Sequence, residues 1–308
     1  MPDNVKKTLA ILDKVEGFGG ITPSEARITR LGGLTNLVHR VEARGAAVIV
    51  RIPGEGTESY IDRAVEVHNA RAAHASGVAP EVLWADAASG AMVTRAIPGI
   101  ETMTPEGFRT PGRPARAGLA LAQLHGSGQT FRFRFEPFAM IEYYLKVLAG
   151  KTVTLPEGYH DVVTAAGPAG DALSRHPAAL APCHCDPLCE NFLDDGQKMW
   201  VVDWEYSGMN DPLWDLGDLS VEAGMDADQE SELLQAYFGR TPTAAEIGRV
   251  VIYKAMCDLL WTLWGLIQLA DANPAMDFRA FADGRFARCR ALMQDPSFEV
   301  HVAAVQAG

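Results

Sequence analysis

The residues best able to do chemistry together lie between Cys183 and Asp218. His184, Asp186 and Asn191 form an H-x-D-x4-N pattern, and the apolar run Met199-Trp200-Val201-Val202 then delivers Asp203, followed by Trp204-Glu205-Tyr206. Between the two halves, Asp194-Asp195-Gly196 predicts a hairpin turn, because Asp-Gly tolerates the positive φ that such turns need. Folding back at that turn sets Asn191 beside Asp203, with Asp186 a few residues upstream. Two oxygen ligands at one end of an antiparallel pair suit Mg2+, a hard cation that takes carboxylate and amide oxygens and leaves its other positions to phosphates and water. Asp186 is then placed to accept a proton from an attacking hydroxyl, or to orient it. The chemistry indicated is phosphoryl transfer, whose loose transition state asks mainly for positioning and charge neutralisation. Any one of these carboxylates alone reads more simply as a solvated turn former; their order after an apolar strand is what argues for a site.

The H-x-D-x4-N loop followed by an aspartate at a strand end resembles the protein-kinase-like superfamily. C-H-x-D with D-W-E-Y-S-G is similar to its small-molecule branch, the choline/ethanolamine and aminoglycoside kinases. The interval from Asp203 to Trp214 is too short for a long activation segment and no A-P-E triplet follows, so a protein substrate is not expected. The resemblance implies an α+β, two-lobed protein-kinase-like fold. Residues 1–96 would form a nucleotide-binding lobe, an antiparallel β-sheet with one main helix. Residues 97–308 would form a mostly helical catalytic and substrate-binding lobe, with ATP between the two.

Composition agrees with such a chain. It has 308 residues, 48% of them hydrophobic and 21% charged, enough for a sizeable core. A net charge of −12 argues against a nucleic-acid binder and is compatible with a cationic substrate. Five scattered cysteines read as reduced thiols of a cytoplasmic protein. Cys183, His184, Cys185 and Cys189 lack the spacing of a zinc knuckle. The apolar run after Lys6 and Lys7 is broken by Asp13 and Lys14, so no signal peptide is read there. The segment 250–270 is interrupted by Lys254, Asp258 and Gln268 and reads as a buried helix, with no membrane partner expected. The sequence assigns no oligomeric state.

The positioning elements follow in order. Residues 4–16 predict a helix, and residues 30–41 a hairpin about Gly32-Gly33. A glycine pair lets backbone N–H groups approach phosphate with no Cβ in the way, although most such pairs are ordinary turns and no G-K-[ST] follows. L-G-G-L-T-N resembles the nucleotide-covering turn of choline kinases, which implies nucleotide contacts from Gly32, Gly33, Thr35 and Asn36. Residues 46–52 predict a strand with one cation, Arg51, near its end. Kinases place their phosphate-holding lysine there, and a guanidinium keeps the charge and adds a bidentate fork; the alternative is a surface cation capping a strand. Residues 59–76 predict a helix with Ile61, Val65, His68 and Ala72 on one stripe. Glu66 lies off that stripe; the resemblance implies a pair with Arg51, while a solvated glutamate is the plain alternative. Strands are predicted at 82–85 and 91–94, then a linker at 95–99, where the family offers backbone groups, here at Ile97, to adenine. Residues 101–114 read as a loop. Further helices are expected at 115–126, 140–148, 161–175, 226–238, 243–270 and 277–293, with His125 structural. The resemblance makes Asp215 a scaffold that bonds amides of the catalytic loop.

The helix around Trp261 bears on the substrate. At 100° per residue, Leu259, Leu260, Leu263, Leu266, Ile267 and Ala270 share one sector, while Asp258, Trp261, Trp264 and Gln268 share another. Indole faces attract quaternary ammonium ions by ~0.5–1 kcal/mol when exposed and ~2 kcal/mol or more when desolvated. The same pattern also describes tryptophans filling a core. W-x-x-W resembles the choline-kinase segment that lines the choline cage, and by the same match Tyr206 adds a ring and Glu222 compensating charge. Glu205 is set toward the metal or the hydroxyl end. The expectation is an ATP- and Mg2+-dependent choline kinase acting on a small cationic alcohol. Its rivals are an ethanolamine or aminoglycoside kinase and a non-catalytic amine-binding protein. The last is disfavoured by the presence of Asp186, Asn191 and Asp203.

Overall fold

Val48 and Val50 turn to one side of β3 (Ala46–Pro53) and are buried with Leu12 and Val15, so Ile49 and Arg51 emerge on the other side, facing a cleft. The computed structural model that gives this arrangement describes residues 3–32, 36–54 and 61–308; Gly33 and Thr35 of the expected nucleotide turn lie outside them. β3 pairs antiparallel with β2 (Asn36–Ala43) and with β5 (Ala91–Arg95). β1 (Arg27–Arg30) and β4 (Val82–Asp86) complete a five-stranded sheet in the order β1-β2-β3-β5-β4. Arg44 and Gly45, at φ 51° and 76°, form the two-residue turn that sets Ala43 opposite Ala46, and α1 (Asp3–Leu12) covers the sheet's apolar face.

The lobe's main helix, α2 (Arg63–Ala75), departs from its sequence pattern in two ways. It begins at Arg63 and not at residue 59, because Asp62 caps it by accepting from the Ala64 and Val65 amides. Its inner face is only partly the expected stripe: Ala72 is buried as expected, but Ile61, also buried, precedes the helix and Val65 and His68 are half-buried, whereas Arg63, Glu66, Asn69, Ala70 and Ala73 are buried as well. The helix lies against the second lobe, so its polar groups find partners there; Asn69 donates to Ser207 and accepts from the Arg132 amide.

The second lobe is built around α10 (Ala244–Ala270), which packs against α5 (Pro137–Ala149), α8 (Leu213–Glu222), α11 (Phe278–Gln294) and α12 (Pro296–Ala307). By length and composition α10 would suffice to cross a membrane, yet 83% of its most apolar stretch is buried within the protein. α4 (Arg113–His125) packs on α9 (Ala227–Phe238), and α6 (Tyr159–Ala165) and α7 (Gly167–Arg175) lie to the side. The 101–114 region is not all loop: it holds β6 (Glu101–Thr102) and α3 (Pro105–Phe108). β6 pairs with β8 (Phe192–Asp194), which pairs with β9 (Met199–Val201) across the Asp-Gly turn, where Gly196 has φ 88°. β7 (Ala181–Cys183) and β10 (Gly208–Asn210) form a further pair, and they and α12 had no sequence signal. His125 is structural as expected, bonded to Asp215 and to the Tyr237 hydroxyl.

Gly217 permits the close crossing of α8 over α10. A Cβ there would stand 2.8 Å from the Val250 carbonyl oxygen and 3.0 Å from the Lys254 amide, both main-chain atoms. Gly217→Ala is therefore expected to lower stability by about 1–3 kcal/mol, the usual range for overpacking. Gly284→Ala in α11, where a Cβ meets nothing, is expected to raise it by about 0.5–1 kcal/mol. Urea denaturation of the two variants checks both signs.

Candidate active site

Asp215, in the first turn of α8, fixes the loop that carries Asp186. Its two oxygens accept from the backbone amides of His184 (2.6 Å) and Cys185 (2.8 Å), the scaffold role the resemblance implied. The His184 ring bonds the Val202 carbonyl at 2.9 Å, and the Trp214 indole donates to the Cys185 carbonyl at 3.1 Å. These bonds hold Cys185 at φ +67° and tie the loop to the end of β9. Asn191 donates its Nδ2 to the Asp186 carbonyl (3.1 Å) and accepts the Val202 amide on its own carbonyl (3.0 Å). Asp186, Asn191 and Asp203 are thus gathered as expected. Asp203 has φ +69°, a left-handed conformation that aspartate tolerates better than most residues, and its carboxylate faces the cleft.

Arg51 crosses the cleft from the sheet. It pairs with Glu66, bonds Asp203 at 3.0 Å, and lies 3.9 Å from Glu205. The Arg51–Glu66 pair left open by the sequence is therefore present. Arg63, one turn before Glu66, adds contacts to Glu66 (2.8 Å) and Glu205 (3.3 Å), and Asn36 donates to Glu205 at 3.4 Å. Sequence reasoning missed Arg63; its only signal was a cation three residues before a glutamate on a helix. Burial alone would lower the Arg51 pKa, but the charges of Glu66, Asp203 and Glu205 raise it. Burial raises the Asp203 carboxyl above its usual range despite Arg51. Burial, and next the Asp203 charge, lift Glu205 to about 7. Burial, and next the charges of Asp218 and Glu222, hold Asp186 well above the usual carboxylate range.

Carboxylate oxygens of Glu66, Asp203 and Glu205 lie within 4.8 Å of one another. Among the described residues, these three face the two guanidiniums of Arg51 and Arg63, and Asp186 lies near enough to feel the charges of Asp203 and Glu205. Fully ionised, that is an excess of two negative charges. An all-oxygen donor set with that excess, Asn191 and Asp203 at its rim, fits a hard divalent cation such as Mg2+.

The same cavity, about 750 Å³, extends to the aromatic residues. Gly32, Asn36, Ile97 and Glu222 line it too. Tyr206 and Trp261 meet at 80° with centroids 5.5 Å apart, Trp261 and Trp264 at 90° and 6.3 Å, and the Trp264 indole donates to the Tyr206 hydroxyl at 3.0 Å. Near-perpendicular ring planes make the corner of a box. Trp261 is almost wholly buried and Trp264 half-buried, yet both face the cavity that holds Asp186, so packing and pocket are served by the same side chains. Phe281, beside Trp264, and Arg285 line the box as well, and neither had a sequence signal. Asp258, which the helical wheel set beside the indoles, is not part of the box: it is buried against Arg285 (3.1 Å) and Arg288 (2.6 Å). Glu222 lines the pocket but is paired with Arg285.

Residues 27–247 match the model of the phosphotransferase enzyme family. A crystal structure of a choline/ethanolamine kinase family protein from Mesorhizobium loti is 61% identical, superposes with a TM-score of 0.90, and aligns over 99% of this chain and 100% of its own. The chain belongs to the choline/ethanolamine kinase family. The choline kinase LicA from Streptococcus pneumoniae is 28% identical, with a TM-score of 0.76 over 87% of this chain and 94% of its own. Human ethanolamine kinase 2 is 27% identical over 86% of this chain and 75% of its own length. This choline/ethanolamine kinase therefore has the two-lobed kinase-like fold, and its cleft is that of a phosphotransferase.

Glu205 supplies a pH test of the cleft. A carboxyl lifted from 4.5 to about 7 on folding is protonated in both states below pH 4.5, and the stability it contributes there is lost as pH rises through 7. Without nucleotide or metal, the wild-type melting temperature is expected to fall more between pH 5.5 and 8 than that of Glu205→Gln. Differential scanning fluorimetry across that range checks the difference in slope.

Proposed function

We propose that the protein transfers the γ-phosphoryl group of ATP to the hydroxyl of choline, giving phosphocholine. The observation that carries this reading is that Asp186 and a box of near-perpendicular aromatic rings share one cavity. A small alcohol with its ammonium on the rings would reach toward Asp186 with its hydroxyl. Asp186 would take the hydroxyl proton as the oxygen bonds to phosphorus and the β–γ bridge breaks, releasing ADP. An acid whose pKa is held high is the better proton acceptor.

Asn191, through its amide oxygen, and Asp203 would hold Mg2+, with Glu205 beside them. When bound, the ion would supply charge neutralisation to the phosphates. Arg51, held by Glu66, would turn part of its fork from Asp203 to the phosphates. The turn at Gly32, Gly33, Thr35 and Asn36 would cover them. Ile49, Met92, Ile97 and Leu193 also line the cavity, and their apolar side chains would suit a flat base held near a lobe boundary at residues 96/97.

Choline is favoured over ethanolamine because indole faces offer no hydrogen-bond acceptors. A primary ammonium would bring three N–H donors into a box whose acid, Glu222, already has Arg285. Aminoglycosides would need several acidic and hydrogen-bonding groups in place of rings.

An ATP-consumption screen across choline, its partly methylated precursors, ethanolamine and kanamycin is expected to give the highest kcat/KM for choline. Equal or better turnover of ethanolamine would remove the choline assignment. Asp186→Ala is expected to slow single-turnover phosphocholine formation by about 10²–10⁴-fold; an undiminished rate would take Asp186 out of the mechanism.

A further inference from the structure

Among the described residues, the buried acids behind the aromatic box differ in how they are partnered. Glu222 is paired with Arg285, Asp258 with Arg285 and Arg288, and Asp215 with two backbone amides and His125. Asp218, between Asp215 and Glu222 on the same face of α8, is 1% exposed. Its Oδ2 accepts the Trp261 indole N–H at 3.3 Å, while Oδ1 has no hydrogen-bond partner among the described residues. A buried carboxylate oxygen left in that state is destabilising, and with Arg285 bonded to Glu222 and Asp258 the site has room for a further positive charge.

We propose that Asp218 is the counter-charge of the ammonium site, acting through the Trp261 ring. A carboxylate on the indole N–H pushes electron density into the ring and deepens the negative potential of its face. It also attracts a cation on that face directly, across a low-dielectric wall. Glu222 makes a weaker counter-ion, because its charge is already shared with Arg285, whose guanidinium stacks 4.6 Å from the Phe281 ring centre. Asp218 is thus a specificity-determining residue that works by tuning and orienting another. Burial, and after it the Glu222 charge, holds its carboxyl well above the ordinary range; a cation on the ring acts in the opposite direction. The groups facing it are Asp215 and Glu222 on α8, Cys257 on α10, Arg285 on α11, and Cys185 and Asp186 of the loop.

The inference rests on reading the box as an ammonium site, and its test separates the two. Dissociation constants for choline and for its neutral isostere 3,3-dimethylbutan-1-ol are measured by calorimetry on the wild type and on Asp218→Asn, which keeps an acceptor for the indole and removes the charge. The preference for choline over the isostere is expected to fall about tenfold in the variant, the factor of one contact to a charged group. A preference unchanged by the substitution overturns the role of Asp218 and leaves the ammonium site standing. A wild type that does not prefer choline to the isostere overturns both. Should Asp218→Asn fail to fold, Asp218→Ser, which also offers an acceptor without charge, reads the same ratio.

Discussion

Opposed charges brought together out of water govern this molecule. Arg51, Arg63 and Glu66 come from the sheet and helix of one lobe, and Asp203, Glu205 and Asp186 come from loops of the other. Burying such a set is costly, and removing one member of a buried pair typically destabilises by about 3–5 kcal/mol. Burial is the main reason that Asp203, Glu205 and Asp186 all have raised pKa values, and the neighbouring acids add to it. A fold seeking only stability would have balanced these charges or replaced them with apolar contacts. Such a surplus of acids fits the proposed binding of a divalent cation beside a nucleotide in this cleft.

α8 extends the same logic into the substrate end. Asp215, Asp218 and Glu222 recur at spacings of three and four, so all three point from one face of a single helix. Each fixes a different wall: Asp215 the loop of Asp186, Asp218 the Trp261 indole, and Glu222 the Arg285 guanidinium. The helix can carry three inward acids because Gly217, facing α10, lets it seat closely on the hub, and α10 in turn carries both tryptophans. Reacting loop and aromatic box are therefore positioned relative to each other by two helices in direct contact.

What the sequence disclosed divides along the distance over which each contact acts. The hairpin at Asp194–Gly196 and the gathering of Asp186, Asn191 and Asp203 are local, so spacing and turn chemistry sufficed, while the place of Arg51 in the cleft rested on the family resemblance. Glu66 was legible as an off-stripe residue, but the stripe itself misled, because the inner face of α2 meets another lobe and is polar. Arg63, Asp218 and Arg285 were invisible for a related reason: their partners are separated from them by 142, 43 and 63 residues. Asp258 shows the converse error. A helical wheel put it beside the indoles, but a wheel records only direction, and two arginines from α11 intervene.

The tryptophans expose why burial and binding are poor alternatives to choose between. A ring that recognises a quaternary ammonium must present its face to the cation and have its edges held, since a mobile ring would lose in entropy what the weak cation–π contact returns. In the proposed site Trp261 would meet both demands: one edge is held by Asp218, its plane is near-perpendicular to Tyr206 and Trp264, and it is almost wholly buried. The apolar all-round character of α10 is thus a condition for the box and no argument against it. A methylated ammonium, which gives up little hydration and needs no acceptors, is the kind of cation that such a rigid, acceptor-poor corner can take from water.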